Sequence, residues 1–148
     1  MPVKGERITP IPMIKSPLLQ SPFVRYQLPF ILWALVIFTF SSFPTPPVPR
    51  LGIRFEDKWQ HLVAYGLLGY LAGRAFFFQN RYFFLSRRPI LMAVLFGILY
   101  GISDEFHQYF VPGRFTDIYD VIADGIGALL GAGLFALLGK GRPGVGDP

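Results

Sequence analysis

Leu28 to Phe43, LPFILWALVIFTFSSF, runs with almost no polar side chain, and three later apolar runs differ from it in one respect: each turns polar at one end. Crossing the hydrocarbon core takes about 20 helical residues, so the first run spans only with help from its flanks. DKWQHLVAYGLLGYLAGRAFFF, Asp57 to Phe78, is the second span, polar at its start and apolar after. The third begins at Pro89, in the first turn where a helix tolerates proline, and runs to about Tyr109. The fourth begins at Thr116 or Asp117 and ends at Leu138. Between these last two lies only VPGRF, so they form an antiparallel pair.

The segments between and around the spans have their own chemistry. PTPPVPRLGIRFE, Pro44 to Glu56, is a non-helical connection because its prolines impose extended geometry. QNRYFFLSRR, Gln79 to Arg88, is a basic turn with interfacial aromatics. Residues 1–27, with Pro2, Pro10, Pro12, Pro17 and Pro22 among four bases, form a basic irregular arm, and residues 140–148 a short basic tail. A signal peptide competes for the first span, since Thr39 and Ser41 mimic a small-x-small cleavage site, but the arm before it is long and proline-rich. The expected fold is all-α, a polytopic membrane bundle of four transmembrane helices over residues 28–139.

Composition agrees: 52% hydrophobic and 16% charged residues with a mean hydropathy of +0.43 are too apolar for a soluble domain of 148 residues. With no cysteine, disulfides, zinc-thiolate sites and thiol nucleophiles are excluded, and any metal would need oxygen and imidazole ligands. The net charge of +5 is scattered among apolar segments rather than gathered in a stripe, which argues against nucleic acid. It reads instead as topology. Lys4, Arg7, Lys15, Arg25, Arg81, Arg87, Arg88, Lys140 and Arg142 share one side of four spans, against Arg50, Arg54, Lys58 and Arg114 on the other. Both termini are therefore expected in the cytoplasm of a bacterial inner-membrane protein. Glu56, Asp57, Asp104, Glu105, Asp117, Asp120 and Asp124 then fall at the extracytoplasmic end, away from ATP and NAD.

Spacing organises these acids. In the fourth span Asp117, Asp120, Asp124, Gly127 and Gly131 recur at 3, 4, 3 and 4, one narrow face whose glycines admit a neighbouring backbone. The carboxylates are thus carried inward. In the third, Ala93, Gly97 and Gly101 lead to Glu105, with Asp104 and Gln108 beside it, and spacing does not choose between Asp104 and Glu105. In the second, Asp57 and His61 are neighbours, while the row through Tyr65, Gly69 and Gly73 drifts round the helix. Ionisable groups at or below a membrane interface are costly unless paired or wetted, so this concentration points to a site.

DKxxHxxxY in the second span, then DExHQxFVPGRxxDxxDxxAD and a glycine-rich helix, resemble the VanZ-like family of small bacterial membrane proteins over roughly Asp57 to Leu138. The resemblance implies a four-helix membrane protein and, for the founding member, a link to resistance against the glycopeptide teicoplanin. Its typical polar residues correspond here to Asp57, Lys58, His61, Tyr65, Glu105, Gln108, Arg114, Asp120 and Asp124, the last often Asn in relatives.

Each residue has a chemical and a structural reading. Asp57 and His61 can chelate a metal or form an oriented base, or Asp57 simply caps its helix. Asp117 sits where a cap belongs, whereas Asp120 is deeper on the seam. Asp104 and Glu105 stand at the negative end of a helix dipole and need a cation: Arg114, Lys58, a protonated histidine or a metal. His107 points away from Glu105 and Gln108. Arg114 is a counter-ion to the acids or a phosphate clamp. The glycines of the fourth span are packing residues, not a nucleotide loop, and Trp59 and Tyr65 are interface or core aromatics.

The expectation is an extracytoplasmic polar pocket from the last three spans that binds the head group of a membrane lipid or lipid-linked envelope intermediate. Arg114, Lys58, Gln108 and Tyr65 would bind it. Glu105, Asp120 and His61 would be the acid, base or metal-holding groups of any nucleotide-independent hydrolysis or transfer. A divalent metal, if used, would fall to Asp57, His61, Asp104 and Asp124. No serine-nucleophile or metalloprotease motif names a reaction. The alternative is a non-enzymatic small transporter or assembly factor whose acids form a structural ion-pair network. A homo-oligomer is compatible with either.

Overall fold

A computed structural model describes residues 21–45, 52 and 55–139. Most of the arm and the Pro44–Glu56 connection, the tail, and with them Lys4, Arg7, Lys15, Arg50, Arg54, Lys140 and Arg142, lie outside the described residues. The helices are α1 (Leu28–Ser41), α2 (Glu56–Phe78), α3 (Phe83–Arg87), α4 (Pro89–Gln108) and α5 (Ile118–Leu138), with no strand among the described residues. Four of these segments, counting the π-helical turn Phe23–Gln27 that leads into α1, are long and apolar enough to cross a membrane. The expected all-α bundle of four such helices is therefore the observed one.

Three boundaries differ from expectation. The first span is helical from Phe23 rather than Leu28, because Pro22 stands at its N-terminus, where a proline without N–H costs nothing. The basic turn contains a short helix, α3, closed by a Ser86 N–H to Tyr82 carbonyl bond. The second span starts at Glu56 with Phe55 at the cap position, so Asp57 lies inside the first turn and does not cap it. Its carboxylate still favours that end of the helix dipole.

Packing is inside-out relative to a soluble protein. Large apolar residues such as Leu32, Leu35, Val63, Leu99, Leu130 and Leu134 are exposed on the outside, while the interior holds many small residues and acids around a few large side chains such as Tyr65 and Leu68. The closest contact is between α2 and α5. A Cβ on Gly131 would collide with the Gly66 carbonyl, one on Gly127 with the Leu62 carbonyl, and one on Gly69 with that of Ala128. On α4, Gly97 faces the Ala128 methyl and Gly101 faces Asp124. Backbones thus approach where side chains are missing. The buried faces of α4 (Ala93, Gly97, Gly101, Asp104, Glu105, Gln108) and α5 (Asp120, Asp124, Gly127, Gly131) are those the spacing predicts.

α1 docks differently. It is apolar all round and reaches the bundle through hydrogen bonds to backbone: Trp33 Nε1 donates to the Ala64 carbonyl at 2.9 Å and Tyr100 Oη to that of Ala34 at 2.6 Å. Phe30 wedges edge-on against Phe76 and Phe96. Such bonds matter more here than apolar burial, which lipid supplies equally well.

Candidate functional site

The antiparallel α4–α5 hairpin brings the end of α4 to the start of α5, and the start of α2 lies against both. The hairpin turn follows from its residues. Arg114 N–H bonds back to the Val111 carbonyl at 3.1 Å, with Pro112 fixing the first corner and Gly113 at φ 83 taking the second. That is the type II pattern, which needs glycine at its second corner.

Six acids besides Glu56 converge here, and the bonding sorts them into three groups. At the mouth, Lys58 Nζ lies 2.7 Å from Asp57, 2.6 Å from Asp117 and 2.7 Å from Asp120. The first two are hydrogen bonds as well as ion pairs. Asp117 also caps α5, its Oδ1 accepting the Tyr119 N–H at 2.9 Å, while its own N–H donates to Glu105 Oε2 at 2.8 Å. Lys58 and the Tyr119 N–H hold the Asp117 carboxyl below the usual aspartate range.

Deeper, His61 Nδ1 donates to Asp124 Oδ1 at 2.9 Å. Asp124 is 0% exposed and fits only because Gly101 is beside it: a Cβ there would sit 2.7 Å from Asp124 Oδ2. On the third side, Gln108 Nε2 donates to Asp104 Oδ2 at 3.0 Å, and Gln108 Oε1 accepts from Arg114 Nε at 2.9 Å and from Nη2. Among the described residues five buried side-chain oxygens have no hydrogen-bond partner, Tyr65 Oη, Asp104 Oδ1, Glu105 Oε1, Asp120 Oδ1 and Asp124 Oδ2, and of these Asp120 Oδ1 is ion-paired with Lys58.

Most of the predicted residues therefore meet, with altered partners. Asp104 and Glu105 are both buried, which answers the choice that spacing left open. Lys58 is the counter-ion of the acids, whereas Arg114 makes no ion pair among the described residues and reaches Asp104 only through Gln108. His107 turns away towards α1, 3.0 Å from Ser42 Oγ and against the Phe38 ring. Asp57, His61, Asp104 and Asp124 do not close into one ligand set. The donor atoms that converge within 4.8 Å are those of His61, Glu105 and Asp120, and separately those of Asp57, Asp117 and Asp120.

A cavity of about 830 Å³ opens beside the cluster. Its polar end carries Asp57, His61, Tyr65, Asp104, Gln108, Arg114 and Asp120; its flank is apolar, with Trp33, Val36, Ile37 and Phe40 from α1 facing Trp59 and Val63 from α2. The expected pocket of three spans is thus walled by all four. The α1 residues were not legible because that helix, apolar on every side, marks no inner face; only the hydrogen-bonding head of Trp33 hints at one.

A family model described as VanZ/LLP1 matches residues 26–139. The chain belongs to this family. The match takes in all four spans and every residue of the polar cluster, so the expected VanZ-like assignment holds. No curated protein and no solved structure matches the chain. Family membership and four apolar helices make it a multi-pass membrane protein.

Proposed function

We propose that this VanZ/LLP1-family protein binds an amphiphile of the cell envelope, a lipid or lipid-linked intermediate, with its phosphate-bearing head group in the polar end of the cavity. The observation that carries this reading is the shape of the cavity, whose one end is ionic and whose flank between α1 and α2 is apolar. A soluble metabolite has no use for the second part; a chain-bearing ligand does. Arg114 lines the polar end, and its bonds to Gln108 employ two of five guanidinium donors, leaving the rest for phosphate. Lys58 would join it by exchanging a carboxylate for the ligand. His61 and Asp120 also line the cavity and, with Glu105 beside them, would be the acid, base or metal-holding groups if a head group is cleaved or transferred. The distribution of basic residues favours an orientation with this end outside the cytoplasm, and an envelope ligand there accords with the glycopeptide-resistance link of the resemblance.

The test is lipid retention by native mass spectrometry after purification in mild detergent with phosphatidylglycerol or a polyprenyl phosphate. Wild type should retain an anionic lipid. Arg114→Gln should hold it about tenfold less tightly, the loss of one charge-assisted bond, with Arg114→Lys between the two. A wild type that retains none, or an Arg114→Gln that retains it equally, would leave the structural ion-pair reading, which the Lys58 network favours.

A further inference from the structure

Among the described residues the polar end has more acids than cations, and Lys58 pairs only with Asp57, Asp117 and Asp120. Where His61, Glu105 and Asp120 converge, an imidazole nitrogen and two carboxylate oxygens lie within 4.8 Å of one another. Among the described residues Glu105 forms no ion pair: one oxygen accepts the Asp117 N–H, and the other, Oε1, is buried without a hydrogen-bond partner in a residue only 6% exposed. A buried carboxylate oxygen left bare costs several kcal/mol unless something fills it.

We propose that His61, Glu105 and Asp120 bind a divalent transition-metal ion of the Mn2+ or Zn2+ kind. The donor set selects the class: one imidazole disfavours Ca2+ and Mg2+, and the absence of sulfur disfavours Cu+. The ring is prepared for it. With Nδ1–H held on Asp124, Nε2 is the nitrogen free to ligate, and a carboxylate partner of this kind fixes the ring and raises its basicity. The second converging group, Asp57, Asp117 and Asp120, is unavailable because Lys58 Nζ already occupies its centre. His61 and Asp120 also line the cavity, so the ion's remaining coordination positions open into it. The site does not depend on the lipid reading, because it is tested with metal alone.

Purified wild type, stripped with chelator in detergent and loaded with Mn2+ or Zn2+, should retain one ion per chain by elemental analysis. The Mn2+ form should show 14N coupling in pulsed electron paramagnetic resonance. The chain has two histidines, so His107→Gln must keep that coupling and His61→Gln must lose it. Glu105→Gln and Asp120→Asn should abolish retention, Asp57→Asn should keep it, and Asp124→Asn should weaken it about 10–100-fold. A wild type that retains neither ion, or a bound Mn2+ without nitrogen coupling, overturns the site, and both are read on the unmutated protein. So does loss of metal in Asp57→Asn alone, which would move the ion to the Lys58 group.

Discussion

Asp117 joins the groups of the polar end at the level of single atoms. Its Oδ1 caps α5, its Oδ2 pairs with Lys58, and its N–H holds Glu105. Replacing it with Asn keeps a capping oxygen and removes the charge. Because the folded carboxyl titrates below the ordinary 3.8, its pairing contributes stability above that value and loses it as pH falls through the lowered one. Asp117→Asn should therefore melt below wild type at neutral pH, and the gap should close in acid; equal melting at both would show that the pair contributes nothing. The cap was legible from an acid placed just before an apolar run. The partnership with Lys58, 59 residues away, was not, since a lysine one turn above a histidine gives no sign of which helix it leans towards.

Helix faces were legible wherever small residues and acids recur with a period. The α4 and α5 faces are buried as their spacing requires, and the same faces say which glycines matter. Gly131 meets the Gly66 carbonyl, while a Cβ on Gly133 would meet nothing within 4 Å. Alanine favours helix over glycine by about 1 kcal/mol, so Gly133→Ala should be neutral or mildly stabilising. Gly131→Ala must push α2 from α5 and should cost about 1–3 kcal/mol net, the range for overpacking. Denaturation by SDS in mixed micelles reads both, and equal stabilities would mean that the α2–α5 seam is looser than its backbone contacts indicate. Periodicity fails where it has no polar contrast. α1 carried no mark of the face that walls the cavity, and five residues of α3 are too few to show a period at all.

At the scale of the whole molecule the charges sort by end. Arg74 on α2 and Arg25 beside the start of α1 both stack on Tyr26, and Arg81 precedes and Arg87 ends the short helix that follows α2, all at the end opposite Lys58. Basic residues near span ends are retained in the cytoplasm during insertion, so the stacked arginines and α3 should face inward and the acidic cluster outward. A four-span arrangement then returns the chain after α5 to the cytoplasm. Green fluorescent protein fused after Gly139 should fluoresce, and alkaline phosphatase fused at the same point should be inactive. Phosphatase placed in the α4–α5 turn should be active. The opposite pattern would put Lys58, His61 and Arg114 in the cytoplasm, where soluble nucleotides and phosphates compete for the same donors. An envelope head group would then lose its advantage, whereas the His61, Glu105 and Asp120 metal site, which depends on local geometry alone, would stand unchanged.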